Sequence, residues 1–261
     1  MAGFFLRKPR PSEKEPMAIK KGLAQYIYLL KNVSVEQIST ESFQVVYSGF
    51  FDFRGERLKQ NGKFWREYFQ YMQENCGKEL NFNTVLERLQ QIQGKIEVSF
   101  GSKLLSMLNS DEKIPWDRRV EGVLKPYFNT LGVIVPSDEK NTKKYKDDKE
   151  KYICDWNVFY AELCDWYTGF VGIQKELGER SWLKQFNQWF ENDWYEWYLN
   201  NLRAKNTKMK RPTTKPVYEW FHDQPLRQRK EMSGWIEPVK VIDLVLWQRG
   251  YFPYDCSRCG N

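Results

Sequence analysis

The stretch SWLKQFNQWFENDWYEWYLNNL places Trp182, Phe186, Trp189, Phe190, Asp193 and Trp197 at intervals of three and four. Side chains at that interval share one face of an α-helix. The same period runs through MAIKKGLAQYIYLLKNV, where Ile19, Leu23, Tyr26, Ile27 and Leu30 line one face. It recurs in GKFWREYFQYMQENCG, with Phe64, Tyr68, Tyr71 and Met72 in register and Gly77 as a C-cap, and in NFNTVLERLQQIQG, with Val85, Leu86, Leu89 and Ile92 between a capping Asn83 and a terminating Gly94. DWNVFYAELCDWYTGFVGIQKEL reads as a further aromatic helix, and EPVKVIDLVLWQRG as a last apolar one closed by Gly250. ESFQVVYSGFFDFRG is open between a strand and a bent aromatic loop. No run of alternating strands and no solenoid period appears. The expected class is all-α with at most a minor strand element.

With 261 residues, 41% of them hydrophobic, the chain can bury a sizeable core. Residues 1–17 carry Arg7, Lys8, Arg10 and several prolines and read as a flexible basic arm; 18–250 form the helical domain and 251–261 a tail. Two loops interrupt the domain, a polar one near 136–151 and a basic one near 203–216. Lys and Arg total 41 against 34 acids, for a formal charge of +7 and a sequence pI near 9.0. That balance favours an anionic partner, nucleic acid first, although it is also unremarkable for a chain of this size. The five cysteines, Cys76, Cys154, Cys164, Cys256 and Cys259, are odd in number and irregularly spaced, as expected in a reducing, cytoplasmic compartment. The apolar start MAGFFL is too short for a signal core or a membrane helix, so no membrane partner is expected.

The chemistry-bearing stretch is SFGSKLLSMLNSDEKIPWDRRV, Ser99 to Val120. Gly101 and Ser102 precede Lys103, which reads as first-turn in an apolar helix that Pro115 stops. A positive helix end and the apolar neighbours Leu104, Leu105, Met107 and Leu108 both disfavour an ammonium, and a neutral amine is a nucleophile. Asp117, two residues beyond Pro115, reads as the N-cap of DRRVEGVL, an ionised carboxylate suited to stabilising developing positive charge.

Gly-Ser-Lys, an apolar helix and then Pro-x-Asp resembles the active-site core of the helix-hairpin-helix DNA glycosylases, closest to the eight-oxoguanine glycosylase branch. The resemblance covers roughly residues 94–125. It implies a two-lobed helical fold around a central helix-hairpin-helix-like unit. It implies excision of a damaged or modified base from double-stranded DNA, by Lys103 attacking the sugar C1′ with Asp117 in support, and strand cleavage could follow through the Schiff base. It implies no metal or other cofactor and a monomer. Ser99, Gly101 and Ser102, at the hairpin's exit, together with Arg118 and Arg119, would contact DNA; Trp116 and Trp247 would hold the extruded base, if they are not simply core. The departures are specific. The family's hairpin usually reads Leu-Pro-Gly-x-Gly, whereas GKIEVSFGSK keeps Gly101 with Gly94 further back, and the lysine and aspartate stand 14 residues apart, several fewer than is usual. That divergence and the aromatic C-terminal half suggest a non-standard base, such as one in modified foreign (phage) DNA. The alternative is a non-catalytic nucleic-acid-binding or interaction protein on a helical scaffold; a structural protein without DNA affinity is the third class.

Other constellations are weaker. Arg203, Lys205, Lys208, Lys210, Arg211 and Lys215 make a basic strip that fits a DNA backbone or an exposed linker. Cys256 and Cys259 form a C-x-x-C that could complete a zinc site with Cys154 and Cys164, but that second pair has the wrong spacing. His222 stands beside Asp223 with no nucleophile to serve.

Overall fold

A computed structural model describes residues 15–51, 53, 62–109, 111–136, 148–178, 182–202, 215–224 and 236–251. Among them the chain is a helical bundle without a strand. The helices are α1 (Glu15–Lys31), α2 (Val35–Ile38), α3 (Glu41–Phe50), α4 (Lys63–Glu74), α5 (Phe82–Gln93), α6 (Val98–Leu108), α7 (Arg118–Leu131), α8 (Lys149–Glu176), α9 (Trp182–Trp189), α10 (Tyr195–Asn201), α11 (Lys215–Asp223) and α12 (Pro238–Tyr251). A π-helical segment, Phe190–Trp194, joins α9 to α10. Buried side chains from Leu23 to Ile242 form one contiguous cluster. No helix among the described residues is long and apolar enough to cross a membrane.

Periodicity locates these helices, and local chemistry sets their ends. ESFQVVYSGFFDFRG is neither strand nor loop in its first ten residues. Thr40 caps α3 by accepting from Phe43 N at 3.2 Å, and Phe43, Val46 and Tyr47 then turn inward at helical spacing. Asn81, not Asn83, caps α5: its side chain accepts from Thr84 N at 2.8 Å, and Asn83 lies inside the helix. Gly94, with φ of 76°, ends α5 in the left-handed region that glycine adopts most easily. Gly77 (φ 77°) lies in the turn two residues past the Asn75 C-cap of α4, and α12 runs through Gly250 to Tyr251.

The aromatic C-terminal half is packed rather than exposed. Phe190, Trp194 and Tyr198, four residues apart, stack in succession at centroid distances of 4.5 and 5.6 Å. Trp194 Nε1 donates to the Lys20 carbonyl at 3.1 Å, and Lys20 Nζ donates to the Asp193 carbonyl at 3.1 Å, which fastens the π segment to α1.

Helices α5 and α6 pack against one another, with only residues 94–97 between them. Gly101 of α6 lies directly against α5. A Cβ there would stand 3.0 Å from Leu86 Cδ2 and 3.1 Å from Phe82 Cε2. Gly101→Val forces both side chains off their seats, so equilibrium urea unfolding should show a loss of about 1–3 kcal/mol.

Candidate functional site

Helix α6 begins at Val98, three residues before Gly101, so Lys103 stands in its interior and not in its first turn. The glycine that reads as a helix break in the sequence is a packing glycine, and Glu97 at the N-cap position makes no side-chain cap to announce the true start. The expected positive field from Lys103's own helix end is therefore absent. The field it meets has the opposite sign. Lys103 Nζ donates to the carbonyl of Phe51, the C-cap of α3, at 3.2 Å, and the C-terminus of a helix attracts a cation. The Phe51 and Phe100 rings lie with centroids 5.7 and 5.8 Å from Nζ. Lys103 is 7% exposed. Of the two causes expected to disfavour its ammonium, burial among apolar side chains is the one present.

Helix α6 ends at Leu108, and Lys113 N and Glu112 N fold back onto the Asn109 carbonyl. Pro115 is thus not its terminator but part of a buried non-helical segment leading to Asp117. Three helices hold that segment by its backbone. Lys240 of α12 donates to the Lys113 carbonyl. Tyr160 of α8 donates to the Ile114 carbonyl at 2.6 Å. Ser102 of α6 accepts from Trp116 N at 2.8 Å, and its own hydroxyl hydrogen faces the Trp116 carbonyl at 3.1 Å and the Ser99 carbonyl at 3.1 Å. Asp117 follows directly and caps α7, its Oδ1 accepting from Val120 N at 3.1 Å. Lys103 and Asp117 are therefore each the next residue in the chain after one member of the Ser102–Trp116 contact.

The remaining sequence candidates fall elsewhere. Gly101 and Ser102 are buried inside α6, so their amides face the helix and not a phosphate. Ser99, half-buried in the first turn of α6, has its carbonyl beside Ser102. The Lys95–Glu97 ion pair lies at this same connection. Trp116 is 2% exposed and packs against Phe128, Trp156 and Phe159, which makes it core rather than a face for a base. The side chains of Arg118, Arg119 and Trp247, the basic strip from Arg203 to Arg211, and Cys256 with Cys259 lie outside the described residues. Lys215 pairs with Glu219 at 3.6 Å on α11. Cys154 and Cys164 sit ten residues apart on α8, about 15 Å along its axis, one exposed and one buried, and cannot ligate one metal. Among the described residues no cluster of His, Cys, Asp and Glu could hold a metal ion.

A group of residues that sequence reasoning missed lies on α12. Lys240 is 0% and Asp243 4% exposed, and α12 packs along α7 and α8. Burial drives the Asp243 carboxyl up to about 7, with Lys240 opposing the rise and Asp117 adding to it. Burial likewise brings Lys240 down to about 8, against the pull of Asp243. Asp243 Oδ1 and the hydroxyls of Tyr26 and Tyr167 have no hydrogen-bond partner among the described residues. Both phenols are raised by burial first and by the Asp243 charge second. The signal for this cluster was present in VKVIDLV, where an acid and a base interrupt an otherwise apolar turn.

Comparison with protein-family models, with curated proteins and with solved structures finds no match to this chain.

Ser102→Ala leaves the buried Trp116 N–H without its acceptor, and chemical denaturation should report a loss of about 1–3 kcal/mol. A second expectation concerns pH. Between the ordinary aspartate value of 3.8 and about 7, folded Asp243 keeps a proton that the unfolded chain has released. Stability should therefore fall as pH rises through that window. Between about 8 and 10.5 the unfolded chain holds the Lys240 proton that the folded state has lost, so stability should fall further as pH drops through that range and recover as it rises. Melting temperatures measured across pH should flatten in the lower window in Asp243→Asn; an unchanged slope would show that another group carries it.

Proposed function

We propose that this chain is a DNA glycosylase of the helix-hairpin-helix kind, acting on a damaged or modified base in double-stranded DNA. The observation that carries the reading is the two-point contact of Ser102 with Trp116, which ties the helix bearing Lys103 to the cap bearing Asp117. A site that must bring an amine and a carboxylate to one sugar needs both on rigid supports, and the clamped segment from Lys113 to Trp116 supplies the second support.

In the proposed reaction the nucleotide is extruded from the duplex and the Lys103 amine, having given up its proton, attacks C1′. The N-glycosidic bond breaks with its electron pair leaving on the base, which takes up a proton. The Asp117 carboxylate stabilises the positive charge that builds on the sugar. Ring opening then gives a Schiff base between Nζ and C1′. Phe100, half-buried with its ring centroid 5.8 Å from Nζ, takes the role of flanking the extruded base, since Trp116 and Phe51 are both core. The net charge of +7 suits a polyanionic partner. The suggestion of modified foreign DNA as the target rests on the divergent hairpin, since the aromatic side chains of the C-terminal half are packed.

A second reading has its own support. The Lys103 bond to the Phe51 carbonyl is what a structural lysine makes, and a nucleic-acid-binding module would keep it for stability. Borohydride reduction separates the two. The enzyme should become covalently linked to a duplex carrying an abasic site, while Lys103→Gln, which keeps an amide donor for the Phe51 carbonyl, should bind the same duplex with similar salt dependence and give no adduct. DNA binding by the unaltered protein with no adduct on any abasic duplex selects the binding module.

A further inference from the structure

We propose that Asp243 is the second carboxyl of the Asp117 site, a positioning residue that sets the negative charge met by a cation forming at the sugar C1′. The inference rests on the glycosylase reading and deepens it. Asp243 sits on α12, which packs along α7, the helix that Asp117 caps. One turn earlier on α12, Lys240 holds the Lys113 carbonyl, the first fixed point of the segment that presents Asp117. The Asp117 charge reaches both Asp243 and Tyr167. Asp243 Oδ1 is sealed from solvent and, like the Tyr26 and Tyr167 hydroxyls, makes no hydrogen bond among the described residues. A carboxyl in such surroundings holds its charge weakly, and its proton balance answers to whatever charge arrives next to it.

The groups around it define how it should respond. Asp117, at the cap of the α7 helix that packs on α12, opposes its ionisation, Lys240 on its own helix favours it, and Tyr26 of α1 and Tyr167 of α8 interact with its charge. Tyr160 and Cys164 of α8 complete the buried cluster, with Lys113 acting on Cys164 and Asp111 on Lys240. Along α7, Glu121 and Lys125 pair with one another at 4.0 Å, and Lys184 of α9, which also packs on α12, is exposed. A positive charge at C1′ would offset Asp117 and let Asp243 release its proton. Ionised Asp243 in turn adds a second negative charge that such a cation meets. By linkage, preference for a cation at C1′ must therefore rise with pH as Asp243 ionises.

The test uses the full chain and two duplexes. One carries an abasic-site analogue whose pyrrolidine nitrogen, a secondary ammonium, stands at the C1′ position; the other carries the uncharged tetrahydrofuran analogue. The ratio of their affinities is measured from about pH 5.5 to about pH 7.5, below the value of about 8 to which burial brings Lys240. The ratio should climb by roughly tenfold in favour of the pyrrolidine duplex, and stay level in Asp243→Asn. Histidine side chains as a class change charge in this range, and His222 is unaltered in that variant, so any contribution from it would persist there. Lys240→Gln, which removes the ammonium that favours ionised Asp243, should move the climb to higher pH and serves if Asp243→Asn does not fold. A level ratio in the unaltered protein that still favours the pyrrolidine overturns the role of Asp243 and leaves the glycosylase reading standing. The same conclusion follows if the climb survives in Asp243→Asn or is unmoved in Lys240→Gln. No preference for the pyrrolidine at any pH overturns both.

Discussion

The site depends on one constraint: a buried, non-helical segment must satisfy its own backbone. Ile114, Pro115 and Trp116 lie inside the protein without helix or strand partners. Unpaired buried peptide groups are costly, so hydrogen bonds must come from side chains. Pro115 removes one donor from the problem. Ser102, Tyr160 and Lys240 supply partners for three carbonyls and the Trp116 N–H, each from a different helix. The same bonds that make burial tolerable fix where α7 starts, and with it where the Asp117 carboxylate stands. Precision at the site is a by-product of solving a folding problem.

How much of this was legible depends on how local each cause is. Helix existence follows from spacing within one element, so the aromatic periods at 182–197 and the apolar faces of α4 and α5 could be read directly. Caps are nearly as local, which is why Asp117 and Gly94 stand where the sequence suggests. Where two similar residues compete, as Asn81 and Asn83 do, only backbone geometry decides. The start of α6 was hidden because no capping side chain marks it and because Gly101 imitates a break while serving a helix crossing. The partners of Lys103 were hidden for a deeper reason. Phe51 lies 52 residues away, and nothing near position 103 announces that α3 ends there.

That distant partner changes the electrostatic meaning of the site. Lys103 meets the carbonyl end of α3, and Asp117 meets the amide end of α7. Each charge therefore rests at the helix terminus that favours it.

Helix α12 carries groups in the opposite condition. Lys240 stands in its first turn, where the helix end disfavours an ammonium, and Asp243 follows one turn further in. Burial pushes the acid up and the base down until their ordinary separation nearly closes. Since the same Lys240 also holds the segment that presents Asp117, a shift in its charge is felt mechanically as well as electrostatically. The fold thus sets Lys103 and Asp117 at helix termini that suit their charges and ties the segment that presents Asp117 to the buried acid and base of α12.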